Sequence, residues 1–88
     1  MAAILNKVVK ILKNELTRFE HHLEYVRETG RVTGFIISST FSGMDDDKRQ
    51  KRLWEGILRK QLTADELRKI GPIVAMSPEE AAIHAVDR

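Results

Sequence analysis

The sequence contains no cysteine, which excludes disulfides, thiolate nucleophiles and any cysteine-ligated zinc or iron–sulfur site within the chain. It also lacks an apolar run near the roughly 20 residues that a membrane-spanning helix needs. The 42% hydrophobic and 32% charged residues are typical of a folded globular chain. We therefore predict one folded domain over residues 1–88, in the cytoplasm or, if a transit segment is missing, in an organelle matrix. The order of helices and strands predicted below makes it an α+β domain.

Charge is nearly balanced over the whole chain but concentrated in one segment. Fifteen Lys and Arg stand against thirteen Asp and Glu, and this net charge of +2 implies no particular partner. Residues 48–60 hold six cations against Glu55 alone, centred on the run Lys48, Arg49, Gln50, Lys51 and Arg52. Such a segment is suited to bind phosphates or an acidic partner. The simpler interpretation is a solvated helix face, partly neutralised by the aspartates before it.

Hydrophobic spacing and turn residues predict an alternation of helices and strands. Apolar residues three and four apart predict a first helix over residues 2–18. A β-branched and aromatic run predicts a strand over residues 32–41, in which Gly34 indicates a bulge or a close backbone contact. Further along we predict helices over residues 45–61, 64–70 and 78–86 and a short strand over residues 73–76. The last two helices begin at capping boxes.

Residues 20–28 admit two interpretations. Phe19, Leu23 and Val26 continue the three-four spacing of the first helix, which favours one helix over residues 3–28 with Gly30 as its C-terminal cap. In the competing interpretation, residues 20–28 are a strand and Thr29-Gly30 is a tight hairpin turn. Periodicity alone slightly favours the long helix.

The candidates for metal ligands are weak. Asp45, Asp46 and Asp47 lack the alternating spacing of a calcium loop, and we expect them to interact with the dipole of the helix that follows. The histidines are His21, His22 and His84. Adjacent histidines point to opposite faces of a strand and lie about 100° apart on a helix, so in either interpretation His21 and His22 do not suit one ion as a pair. A metal at either would have to be shared with another molecule, and we predict no metal site.

No pattern in the sequence indicates catalysis. There is no recognisable serine–histidine–acid arrangement or carboxylate pair, and the glycines form neither a phosphate loop nor the Gly-x-x-Gly clamp of KH modules. Trp54 lies on the apolar face of its predicted helix, where a core anchor is a simpler role than a platform for stacked bases. We therefore expect a binding protein that is not an enzyme.

The central segment resembles the signature of the BolA family. In that family a strand ends in Phe-x-Gly, and a helix then opens with a basic segment that leads to an aromatic residue. Phe41, Gly43, Arg49 and Trp54 fall at the matching places, and Ser77-Pro78-Glu79-Glu80 resembles the family's Thr/Ser-Pro-x-Glu after its last strand. The resemblance covers about residues 4–82.

The resemblance implies a BolA-like, class II KH-like fold: a helix, a β-hairpin, two helices, a short third strand and a C-terminal helix. It thus tips residues 20–28 toward strand. It also implies a monothiol glutaredoxin as partner and an iron–sulfur cluster, shared with that partner, as cofactor. The family's usual histidine ligand aligns with Gln50 here, as in the IbaG-like subgroup, and glutamine is a poor ligand for iron. This chain alone is therefore expected to bind no cofactor.

Three functional hypotheses follow. The first is a non-enzymatic BolA-like adaptor whose protein partner contacts the strand-to-helix region, comprising Phe41, Gly43, Met44, Lys48, Arg49, Gln50, Lys51 and Arg52. The second is a KH-like module that binds nucleic acid or regulates transcription through the same basic helix. The third is a structural dimer, which applies if residues 3–28 form one helix whose apolar stripe needs a second chain. The chain is expected to be a monomer or a homodimer.

Overall fold

Helix α1 spans Ala3–Glu15 in the computed structural model, which describes residues 3–86 and the side chains of residues 3–83. It buries Val8, Ile11 and Leu12, as the three-four spacing predicts. The predicted start at Ala2 lies outside the described residues. The predicted end near Arg18 is wrong, because the helix stops three residues earlier.

The chain leaves the helical path because Thr17 is bonded to another part of the fold. Its N–H donates to the hydroxyl of Thr40 (3.1 Å), and its carbonyl accepts from the hydroxyl of Ser38 (2.6 Å). Arg18 then takes a left-handed conformation (φ 51°), which turns the chain. These long-range bonds override the local spacing that favoured a continuous helix.

Strands β1 (Glu20–Val26) and β2 (Arg31–Ile37) form an antiparallel hairpin. The N–H groups of Thr29 and Gly30 close the turn on the carbonyl of Val26. The strand interpretation of this region is confirmed, and a single helix over residues 3–28 is wrong. The predicted strand end at residue 28 and the two-residue turn Thr29-Gly30 are also wrong, because β1 ends at Val26 and the turn takes residues 27–30. The helix-mediated dimer therefore loses its premise.

The strand predicted over residues 32–41 ends too late, because a short 3₁₀ helix, Ser39–Phe41, follows β2. Ser38 causes the change of direction. Its hydroxyl oxygen accepts from the N–H of Thr40 (3.1 Å) while the hydroxyl donates to Thr17, so its side chain replaces the next strand hydrogen bonds.

Helix α2 covers residues 46–61 in three consecutive parts: α-helical Asp46–Leu53, π-helical Trp54–Leu58 and α-helical Arg59–Gln61. The predicted limits, residues 45–61, differ only in that Asp45 is the N-cap. The π-helical part was not predicted. It adds one residue to the helical turn in which Ile57 and Leu58 are both buried. Helix α3, Ala64–Leu67, begins at the predicted capping box of Thr63 and Glu66 and ends three residues before the predicted limit.

Strand β3 runs from Ile70 to Met76 and pairs parallel with β2, giving a mixed sheet of order β1-β2-β3. The predicted start at residue 73 is wrong, because Gly71-Pro72 lies inside the strand. A proline is tolerated there because β3 is an edge strand. The register shifts between Val32 and Gly34, which confirms the bulge. At Gly34 (φ 134°) a β-carbon would lie 2.1 Å from the carbonyl oxygen of His22.

Helices α1 and α2 pack against one face of the sheet, which is its inner face, and form the core with it. The core comprises Val8, Ile11, Leu12, Leu16, Val32, Ile36, Phe41, Leu53, Ile57, Leu58, Leu62, Ile70, Ile73 and Ala75. Helix α4 (Pro78–Val86) follows β3 directly. The chain is thus a compact α+β domain, as predicted, and its three strands form a mixed sheet. No described helix has the length and apolar character needed to cross a membrane.

Candidate partner-binding surface

The turn between β2 and α2 is built on a buried anchor. Phe41 is fully buried in the core, and its carbonyl accepts from the N–H of Met44 (3.2 Å). Gly43 between them has φ 79°, a conformation that favours glycine, and it is exposed. Met44 is half-buried against the core. The turn therefore presents Gly43 and part of Met44, whereas Phe41 only positions them.

Helix α2 starts at Asp45, whose carboxylate accepts from the N–H of Lys48 (2.9 Å). Asp46 and Asp47 occupy the first turn, where the helix dipole favours negative charge. Beyond them, one side of the helix exposes the cations of the predicted segment. These exposed side chains are Lys48, Lys51, Arg52, Arg59 and Lys60.

Arg49, at the centre of the basic run, is not on that surface. Only 8% of its side chain is exposed, and Nη1 lies 2.6 Å from a carboxylate oxygen of Glu80 in α4. The same nitrogen donates to the carbonyl of Ala75 in β3 (3.2 Å). Nε is buried without a partner among the described residues. Arg49 therefore joins α2, β3 and α4, and its charge is neutralised within the domain.

Glu80 is held by its own capping box as well as by Arg49. Its Oε1 accepts from the N–H (3.0 Å) and the hydroxyl (2.8 Å) of Ser77, and its N–H donates to the Ser77 hydroxyl (3.3 Å). These hydrogen bonds, and after them Arg49, hold the pKa of Glu80 below its ordinary value. The carboxylate therefore stays charged, which a buried guanidinium requires.

Gln50 is also occupied inside the domain. Its Nε2 donates to the carbonyl of Ile73 (2.9 Å), and its Oε1 accepts from Nε1 of Trp54 (3.1 Å). Trp54 is half-buried against the core, which fits the predicted role of core anchor. Both polar atoms of Gln50 are thus engaged by the fold.

Arg49 and Gln50 together bond the outer edge of β3. The carbonyl of Met76 points toward β2, because it accepts from the N–H of Ser38 (3.0 Å). Carbonyls alternate in direction along a strand, so those of Ala75 and Ile73 point away from β2. These are the carbonyls that the two side chains bind.

A second contact ties the turn to α4. The hydroxyl of Ser42 donates to Oε2 of Glu79 (3.3 Å). Hydrogen bonds, first from the backbone N–H of Glu79 itself and then from the hydroxyls of Ser77 and Ser42, hold the pKa of Glu79 below its ordinary value. The start of α4 is thus attached both to the turn, through Glu79, and to α2, through Glu80.

The histidines predicted as weak metal candidates are separated. His21 stacks on Phe19 (ring centroids 5.7 Å apart) and His22 on Phe35 (4.5 Å), and successive strand residues point to opposite faces. In the part of the chain that the structure describes, no three His, Asp or Glu side chains form a group that would hold a metal ion. His84 lies in α4, and its side chain is outside the described set.

The eight predicted contact residues thus divide into two groups. Gly43, Met44, Lys48, Lys51 and Arg52 are exposed or half-buried, whereas Phe41, Arg49 and Gln50 are engaged inside the domain. Helical spacing predicts this division, whereas a count of charges does not. Arg49, Leu53 and Ile57 are four residues apart and share a helix face, and Gln50 precedes Trp54 by four. The predicted contact residues did not include Ser38, Ser77 or Glu80, which also support this region.

Comparisons of the chain with protein-family models, with curated proteins and with solved structures found no match. The resemblance to the BolA family therefore rests on the motif residues described above.

Proposed function

We propose that this chain is a non-enzymatic BolA-like adaptor that binds a protein partner at the β2–α2 turn and the exposed side of α2. The binding surface comprises Gly43, Met44, Lys48, Lys51 and Arg52. The first partner to test is a monothiol glutaredoxin, which the resemblance implies. The observation that carries the proposal is the division of the basic run, because it leaves Lys48, Lys51 and Arg52 exposed on the helix that follows an anchored turn.

The rigidity of this surface supports a docking role. The turn is anchored by Phe41 beneath it, and Ser42 bonds it to α4. Helix α2 is fixed by Arg49 and Gln50 to β3. A surface that is already ordered loses little conformational entropy on binding, and this favours affinity. Exposed cations at such a surface also accelerate association with an acidic partner.

The residues present do not fit an iron–sulfur ligand set. At the position that aligns with the family's histidine, Gln50 has both polar atoms bonded to Ile73 and Trp54. A carboxamide is moreover a poor ligand for iron. We therefore assign to this chain the role of docking, and the ligands of any cluster to its partner.

The test is an NMR titration of the isotope-labelled chain with a monothiol glutaredoxin, with and without cluster. We expect shifts centred on Gly43, Met44 and the exposed side of α2. The double variant Lys48→Glu/Lys51→Glu should weaken binding about tenfold or more, since it reverses two charges at the contact.

The matched control is Lys10→Glu/Lys13→Glu. It replaces two exposed lysines of α1 at the same spacing and changes the net charge equally. Equal losses in the two variants would show a general charge effect, and no shifts with any glutaredoxin would refute the proposal for that partner.

Nucleic-acid binding is the second candidate, and the five exposed cations of α2 are the observation that favours it. The same variants distinguish the two functions. Nucleic-acid binding predicts an affinity for DNA or RNA that falls steeply with salt and a smaller salt slope for Lys48→Glu/Lys51→Glu. No change in polarisation of labelled DNA or RNA at low salt would exclude it.

A further inference from the structure

The outer edge of β1 is the open edge of the sheet. β1 lies at one end of the order β1-β2-β3 and pairs only with β2. Among residues 3–86, no hydrogen bond from a loop or a side chain reaches the outer backbone groups of residues 20–25. An edge strand with free N–H and C=O groups is a template for another strand.

The side chains of β1 are suited to pairing outside the domain. Five of the seven residues of Glu20–Val26 are exposed, and Leu23 and Val26 are half-buried. His22 and Glu24 lie on the outer face, because their partners on β2 are Phe35 and Thr33. His21, Leu23 and Tyr25 lie on the inner face.

From these features we propose that two copies of this chain form a dimer by antiparallel pairing of β1 with β1, centred on Leu23. In this register each Leu23 lies opposite Leu23 of the second copy. On the outer face His22 lies opposite Glu24 of the second copy, and on the inner face His21 lies opposite Tyr25 of the second copy. Two-fold symmetry forms each of the last two pairs twice.

Charge distinguishes this register from its neighbours. Residues that face each other across the two β1 strands must project to the same side of the sheet. The pairing must therefore be centred on a residue, and each alternative register is centred on a different residue of the strand. Centring on His22 places Glu20 opposite Glu24, and centring on Glu24 places that carboxylate opposite its own copy. Like charges directly opposite each other are destabilising. Only the register centred on Leu23 gives His–Glu and aromatic pairs without facing carboxylates among these three.

The other edge of the sheet explains why assembly would stop at two chains. Pairing through β1 gives a six-stranded sheet that ends in β3 on both sides. There Arg49 and Gln50 already bind the outward carbonyls of Ala75 and Ile73. These bonds occupy two of the acceptors that a further strand would need at β3, so we expect the assembly to stop at two chains.

The first experiment is sedimentation equilibrium of the full chain from micromolar to millimolar concentration. We expect the mass to rise from that of a 10.1 kDa chain to twice that value and to go no higher. A folded chain that stays a monomer over this range would overturn the proposal, as would assembly beyond the dimer.

A charge reversal tests the register. His22→Glu and Glu24→Lys should each raise the dissociation constant of the dimer about tenfold. The first places two carboxylates opposite each other at both pairs, and the second removes the carboxylate that faces His22 at both pairs. The combined variant places opposite charges at both pairs and should recover dimerisation. The control Glu28→Lys makes the same change in the turn, outside the paired segment, and should leave the dimer intact. Weakening by the single changes without recovery in the combined variant would reject this register.

A cross-link provides a readout that does not depend on affinity. Because the chain has no cysteine, a single introduced cysteine is a unique reporter. In the proposed register the two copies of residue 24 lie about 7 Å apart, whereas those of residue 28 are about 30 Å apart along the strands. A short thiol cross-linker should therefore join Glu24→Cys chains and not Glu28→Cys chains. The opposite result would refute the pairing, while leaving the adaptor function on α2 untouched.

Discussion

The two edges of the sheet differ in what lies against them. At β3, Arg49 and Gln50 of α2 bind the outward carbonyls, and Arg49 is in turn paired with Glu80. At β1, the described part of the chain places no bonding group against the edge. The difference shows that long polar side chains of a packed helix can bind the outward carbonyls of a strand edge without adding a strand. It also leaves β1 as the edge where assembly remains open.

The largest effect should come from removing the negative charge of Glu80, which holds Arg49 at the edge of β3. Glu80→Gln keeps an oxygen that accepts from Ser77 but removes the negative charge beside the buried guanidinium of Arg49. We expect the free energy of unfolding to fall by about 2 kcal/mol, below the ~3–5 kcal/mol of fully buried pairs because 43% of the Glu80 side chain is exposed. Urea denaturation measures this change.

Glu79→Gln is the matched control, since it alters the neighbouring carboxylate in the same helical turn. Glu79 bonds the exposed hydroxyl of Ser42 and no buried cation. Its replacement should change the urea midpoint much less than Glu80→Gln. Equal changes would mean that the Arg49–Glu80 pair adds nothing specific to the closed edge.

A smaller effect is expected from Gln50→Leu, which removes the second group at that edge. It leaves the carbonyl of Ile73 and Nε1 of Trp54 without their partner, at a cost of about 1 kcal/mol. The control Gln61→Leu removes an exposed amide of the same helix, whose one hydrogen bond among the described residues goes to Glu15 (3.3 Å). If both changes gave the same urea midpoint as the native chain, Gln50 would not stabilise β3.

Local pattern predicted the parts of the fold in which local and tertiary forces agree. The α+β class, the bulge at Gly34 and the capping boxes at Thr63 and Ser77 all depend on residues close in sequence. The end of α1 does not. It depends on bonds from Thr17 to Ser38 and Thr40, which lie more than 20 residues away, so hydrophobic spacing extended the helix too far.

The candidate surface shows the same division. A count of charges places Lys48 and Arg49 in one basic patch, yet Lys48 is exposed and Arg49 is buried, since successive residues of a helix lie about 100° apart. Helical spacing would have separated them, because Arg49 shares the face of Leu53. The partner of Arg49 was beyond local reasoning, since Glu80 lies 31 positions later and meets it only once β3 is in place. The open edge of β1 likewise required the strand order.

The smallest effect is on the pH dependence of the free energy of unfolding, compared between the native chain and Glu80→Gln. Hydrogen bonds from Ser77, and then Arg49, hold the pKa of Glu80 below its ordinary value of 4.5. A carboxyl whose folded pKa is lowered stabilises the fold above its unfolded pKa, and this stabilisation is lost as the pH falls below about 4.5. The free energy of unfolding of the native chain should therefore decline more steeply below that pH than that of Glu80→Gln. Some slope must remain in the variant, because the pKa of Glu66 is also lowered, first by its bond from Lys7. Urea titrations of both chains between pH 3 and 7 measure the two slopes, and parallel curves would show that the closed edge of the sheet does not depend on the charge of Glu80.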